Sequence, residues 1–197
     1  ADDLSLPALA PEAALARQRA RLRGEWVHRL LQSLPDVAPE QRRAAGMRFL
    51  ARHAQDGFGA DELNALAQQV VDLIAEPRFA ALFAPGSRAE VSIAGRIAIG
   101  GKTVRVSGQI DRLVITPDAI MILDYKTGPA PQMSAAEMPQ HHIRQLALYR
   151  AVLAKLYPGR TVHGALLWTQ AARMIEIPSA TLDSGLRAAL TGSEVIR

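Results

Sequence analysis

The stretch Ile122-Leu-Asp-Tyr-Lys-Thr-Gly128 ends an apolar run in an aspartate and, two residues later, a lysine. Side chains alternate along a strand, so Asp124 and Lys126 share one face, with Ile122 behind them, while Tyr125 points away. A second acid, Asp111, lies in the preceding strand pattern, "SGQIDRLVI". If Thr116-Pro-Asp-Ala119 forms the hairpin turn, Asp111 comes close to Asp124 across the ladder. Two carboxylates converging there repel each other and raise a pKa unless a cation sits between them. A hard divalent ion with oxygen ligands fits such a place, and Mg²⁺ keeps several waters when few carboxylates hold it. A water polarised by that ion beside Lys126 has the chemistry to attack phosphorus, and ion and lysine together stabilise the charge of the transition state. Taken alone, an Asp-x-Lys at a strand end reads as a solvated pair. Three features point beyond that. Asp111 is a second acid on a neighbouring strand, Gly108 three residues before it gives room for a close backbone approach, and Gln145 and Tyr149, four residues apart, share a helical face downstream.

The elements that must position these residues can be read from periodicity. The first third is helical: one helix from Pro11 to about Leu34, with Leu22, Trp26, Leu30 and Leu34 at helical spacing, a second from Pro39 to about Ala54, and a third from about Asp61 to Glu76, stopped by Pro77. "AEVSIAG", "TVRVSGQIDRLVIT" and "AIMILDYK" then carry the β-branched content of strands, with turns at Ile99–Lys102 and Thr116–Asp118. A helix from about Met138 to Tyr157 follows, then two strands, "VHGALLWT" and "RMIEIP", turning at Gln170–Ala172, and a last helix from about Ala180 to Leu190. This order predicts an α/β protein with a mixed sheet flanked by helices, in a single domain over 1–197. Its parts are a loose arm (1–10), a helical segment carrying His28 (11–86), a sheet core (87–178) and a C-terminal helix and tail (179–197).

Composition narrows the chemistry further. The 197 residues include no cysteine, which excludes disulfides, zinc–thiolate sites and iron–sulfur clusters. No apolar run approaches the ~20 residues of a membrane span and the start lacks a signal pattern, so the expected location is the cytoplasm, with no membrane partner. The net charge is +4, and of 23 basic residues only Lys102, Lys126 and Lys155 are lysine. Arginine's planar fork suits phosphate, although an Ala-, Gly- and Arg-rich chain is also what a GC-rich genome produces. "GRIAIGGKT" (95–103) has five residues between its first glycine and Gly-Lys-Thr where a P-loop has four, and a strand follows where a P-loop needs a helix. No nucleotide is expected.

"GQIDRL", "ILDYKTG" and "QLALY", in this order, together with an upstream helical histidine in "GEWVHRLLQSL", resemble the PD-(D/E)xK nuclease superfamily. The similarity covers about residues 20–178 and is closest to the RecB-like branch. It implies a restriction-endonuclease-like core and a magnesium-dependent nuclease, with Mn²⁺ as a possible substitute. Residue by residue, it makes His28, Asp111 and Asp124 metal ligands together with the Tyr125 backbone carbonyl. Lys126 would activate or orient the attacking water, Gln145 would position water or phosphate, and Tyr149 would contact the substrate strand. Glu90 sits where relatives often hold an acid. Hydrolysis in this family is in line on phosphorus and leaves a 5′-phosphate. The lack of cysteine sets the chain apart from AddB and the CRISPR adaptation nucleases, which hold an iron–sulfur cluster, and toward the C-terminal nuclease domain of an alphaproteobacterial AddA. That parentage implies double-strand break repair and recombination, an AddB-like subunit, and a helicase motor, of which these residues carry no motif, delivering single-stranded DNA. Arg17, Arg21 and Arg112 are candidate phosphate contacts, though a solvated helix face explains the first two equally. A stand-alone repair or restriction endonuclease and a catalytically inactive DNA-binding scaffold are the alternatives. His28 alone would read as a boundary residue; His141 and His142 are expected to be exposed.

Overall fold

The computed structural model describes residues 11–54, 57–99, 101–132 and 134–191; the expected arm at 1–10 and the end of the tail lie outside the described residues. Proline sets several boundaries. Helices α1 (Pro11–Ser33) and α2 (Pro39–His53) both begin on proline, whose missing amide costs nothing in a first turn. Helix α3 (Ala60–Ala75) stops before Pro77, which opens a 3-10 turn over Pro77–Leu82. Trp26, Leu30 and Leu34 are buried at the spacing read from the sequence. Helix α4 (Gln140–Leu156) starts two residues later than the pattern suggests. Ser134 and Glu137 close a capping box around a separate 3-10 turn, Ala135–Glu137, and Pro139 then takes the N-cap of α4. Helix α5 (Ser179–Thr191) comes last.

Strands β1 (Arg88–Ile99), β2 (Lys102–Ile115), β3 (Ala119–Lys126), β4 (Thr161–Trp168) and β5 (Arg173–Ile177) form one sheet in sequence order. All neighbours are antiparallel except β3 and β4, whose parallel pairing requires a crossover, supplied by α4. Strand β1 runs past its apolar pattern because its far half pairs with the start of β2, as far as Ile99 opposite Lys102. The two faces of the sheet bury different partners. Ile120, Ile122, Val162 and Leu166 pack with α4 and α5, whereas Leu123, Tyr125 and Leu167 pack with α1, α2 and α3. The result is a mixed sheet between two helical layers.

Regular alternation fails at one place. Ile110 and Leu113 of β2 both belong to the core on the α4 side, although three residues of strand should put them on opposite faces. The reversal lies between them, where Glu90 and Asp111 drop out of the β1–β2 ladder and the β2–β3 ladder ends at Arg112 opposite Leu123. Glu90 has φ +53°, a left-handed conformation uncommon for a residue with a side chain. Both strands thus turn over at the same level, and the two acids leave the pleat there.

Candidate active site

Helix α1 brings His28 to this break. One turn earlier, Gly24 crosses Thr127, just beyond β3, so closely that an added Cβ would lie 2.9 Å from the Thr127 hydroxyl. The missing side chain seats the helix, and His28 Nδ1 then stands 3.5 Å from Asp111 Oδ1. Glu90, aimed by its unusual backbone, completes a group with His28 and Asp111 whose ligand atoms all lie within 4.8 Å of one another.

Strand β3 supplies the other half. Lys126 Nζ lies 2.6 Å from Asp124 Oδ2, both on the face of Ile122. The Lys126 carbonyl is pinned from the next strand by the Thr169 amide at 2.9 Å. Asp124 is not a member of the three-residue group; its carboxylate is turned to the lysine. The halves are joined by Asp111 Oδ2, which accepts the Tyr125 amide at 2.6 Å where the ladder has stopped. The Tyr125 ring meets the His28 ring edge-on, centroids 5.5 Å apart.

Burial and the crowding of acids together set the electrostatics. Burial, reinforced by Asp111, pushes the Glu90 carboxyl above its usual range, against the pull of His28, Arg29 and Arg112. Burial does the same to Asp124, with Lys126 opposing and Asp111 adding to the rise. Burial alone would lower His28, but the Asp111 hydrogen bond and the charges of Asp111, Glu90 and Asp124 raise it. A cation placed among these groups would relieve each of these strains. Asp124 Oδ2 is buried against the Lys126 ammonium. An imidazole nitrogen with surrounding carboxylates is a donor set that fits a divalent ion such as Mg²⁺ or Mn²⁺.

A family model described as the PD-(D/E)XK nuclease superfamily matches residues 3–190. The chain belongs to that superfamily. Among solved structures, a candidate exonuclease from Eubacterium rectale is similar at a TM-score of 0.50 and 15% identity, over 87% of this chain and 64% of that one. Protein SSO0001 gives a TM-score of 0.36 at 16% identity, over 86% of this chain and 77% of that one. Protein VC1899 from Vibrio cholerae gives 0.30 at 14%, over 84% and 49%. The chain therefore spans less than two thirds of two of these structures. No curated protein matches the sequence.

Several residues of this PD-(D/E)XK chain lie elsewhere than the sequence suggested. Arg112 is not a surface phosphate contact: it is 3% exposed, on the opposite side of β2 from solvent. Its guanidinium donates to the Tyr125 hydroxyl at 3.1 Å, the Ser87 hydroxyl at 3.1 Å and the Leu31 carbonyl, and it lies over the Phe83 ring. The reversal at Asp111 turns it toward α1, where it ties that helix to the sheet. Burial pushes the Tyr125 phenol beside it up to about 12, although Arg112 opposes the rise. Gly108 makes room for the Tyr149 hydroxyl rather than for a backbone, and Tyr149 is 9% exposed within the α4-side core. Gln145 Nε2 donates to that hydroxyl at 3.4 Å and stays half-buried. The basic run on α1 divides: Arg19 and Arg23 turn to Glu62 and Gln69 of α3, while Arg17 and Arg21 face outward. His141 is exposed, but His142 is half-buried against it. Burial, then Lys126 and His141, bring the His142 imidazole down to about 4. Gly24, Thr127 and Arg29, which line the approach to His28, were not singled out; the four-residue step from Gly24 to His28 was the available signal.

Proposed function

We propose that the chain is a metal-dependent deoxyribonuclease hydrolysing phosphodiester bonds of single-stranded DNA. The observation that carries this reading is the junction at Asp111, which joins the His28–Glu90–Asp111 group to the Asp124–Lys126 pair through the Tyr125 amide. His28, Asp111, Asp124 and the Tyr125 carbonyl hold Mg²⁺ in this reading, with Glu90 as a further carboxylate. A bound divalent ion supplies Lewis-acid polarisation of the phosphoryl oxygen and a more acidic water. Lys126, fixed through its own carbonyl to β4, orients the attacking water and offsets charge growing on the phosphoryl oxygens. Asp124 holds the ammonium in place. Gln145, braced by Tyr149, positions water or phosphate from the α4 side. Attack in line leaves a 5′-phosphate and a 3′-hydroxyl.

Within the superfamily we read the chain as the nuclease domain of an AddA-type helicase–nuclease of double-strand break repair in the bacterial cytoplasm. The order of the four motifs and the lack of cysteine support this reading. In that setting a helicase motor and an AddB-like subunit deliver the strand. The test is cleavage of linear single-stranded DNA by the purified chain in Mg²⁺. Chelation, Asp124→Ala and Lys126→Ala should each abolish it, with the circular dichroism of both variants unchanged. A protein that binds no divalent ion, or variants as active as wild type, would sink the reading.

A further inference from the structure

A groove of about 400 Å³ leads away from the metal group along α1. One stripe of the helix lines it. From the helix Ala20, Arg21, Gly24, Glu25, His28 and Arg29 line it, and Glu90 and Thr127 line it from the sheet side. Ala20, Gly24 and His28 recur every four residues, as do Arg21, Glu25 and Arg29, so the two rows run side by side on one face. The smallness of Gly24 does two things at once. It seats α1 on Thr127, and it leaves the trough open.

The arginines of this stripe differ from their neighbours in what they are free to bind. Arg19, Arg78 and Arg150 are ion-paired, Arg42 is spent on backbone carbonyls, and Arg112 is buried. Arg29 is exposed and donates only to the neutral Gln32 side chain, at 3.3 Å. It makes no ion pair among the described residues. Arg21 is held by Glu25 at 3.2 Å, a loose exposed pair that a phosphate can exchange. Arg29 adjoins His28, and Arg21 lies eight residues before Arg29, about 12 Å along the helix axis.

We propose that this groove is the track of the DNA strand beside the cleaved phosphodiester, with Arg29 binding the nearer backbone phosphate and Arg21 a further one. The inference rests on the nuclease reading for its ligand, but it concerns binding rather than cutting. The two arginines are balanced by Glu25 and Glu90, so the groove carries little net charge of its own. A divalent ion held at His28, Glu90 and Asp111 tips it positive. The strand therefore binds more tightly when the metal group is filled.

The test uses the full chain carrying Lys126→Ala, so that binding is read without cleavage, and a fluorescent single-stranded oligonucleotide. Affinity should rise on adding Mg²⁺. Arg29→Gln should weaken binding about fivefold at 0.1 M salt and make the slope of log K against log salt shallower by roughly 0.7, one phosphate contact on a single strand. Arg21→Gln should do the same to a smaller degree, and Glu25→Gln, which releases Arg21, should strengthen binding. In the Lys126 background kept wild type, Arg29→Gln should raise KM and spare kcat. Arg48→Gln, on α2 away from the groove, should change nothing. Unaltered affinity and slope in the Arg29 variant would overturn the proposal, as would an equal loss in the Arg48 variant. A wild-type chain that binds the strand through Arg29 yet cuts nothing would instead sink the nuclease reading and leave the groove standing.

Discussion

Asp124 and Lys126 stand two residues apart on a regular strand, whereas His28, Glu90 and Asp111 come from three elements and meet where the ladders stop. The first pair needs only alternation and the pinning of Lys126 by Thr169. The second group needs the seat of α1, which depends on the Gly24 crossing and on Arg112 reaching the Leu31 carbonyl. One half of the site is thus held by local backbone geometry and the other by packing between distant segments. Changes that unseat the helix should therefore damage His28 and spare Asp124.

The largest effect belongs to the residue that joins the halves. Asp111→Asn keeps an oxygen for the Tyr125 amide, so the fold should survive, while cleavage should drop about 10³-fold or more. With the carboxylate gone, burial dominates at His28 and its pKa should fall, which an NMR titration of the ring can follow. Arg112→Met should come next. It leaves the Leu31 carbonyl and the Tyr125 hydroxyl buried without their donor and should cost about 3 kcal/mol of stability by denaturant unfolding. Mn²⁺ affinity, read by calorimetry, should weaken in parallel, while the pairing of β3 with β4 holds. Gly24→Val tests the seat more gently. A side chain within 3 Å of the Thr127 hydroxyl must push the helix out, and Mn²⁺ affinity should fall about tenfold, a loss typical of disturbed support behind a ligand.

How much of this was legible depended on whether the cause was local. The helices, the five strands and the sheet flanked by helices followed from period and punctuation, because proline and alternation act over a few residues. The shared face of Asp124 and Lys126 was visible for the same reason. Arg112 was misplaced as a phosphate contact because nothing in "GQIDRL" shows that the strand turns over there and hands it to α1. The place of Tyr149 over Gly108 was hidden as well, since it depends on how α4 lies across β2. His142 was expected in solvent because its helix position says nothing of Lys126, which comes from the neighbouring strand.

His142 also gives the smallest expected effect. Its imidazole titrates near 4 when folded and near 6.5 when unfolded, so the unfolded chain binds the extra proton between those values. The stability tied to neutral His142 is complete above pH 6.5 and is lost as pH falls through about 4. Melting temperature should accordingly climb over that window, and His142→Asn should flatten part of the climb. An unchanged climb in the His142 variant would mean that another group carries it.

The bond from Arg112 to Leu31 spans 81 residues of chain. It and the contact of His28 with Asp111 can form only after the first helix has docked on a sheet built later in the sequence, contacts of the kind that close slowly in folding. Neither helical layer alone brings these side chains together. On the proposed nuclease reading that ordering is a safeguard: a half-folded copy has nothing to cut with, and the capacity to cleave arrives only with the finished fold.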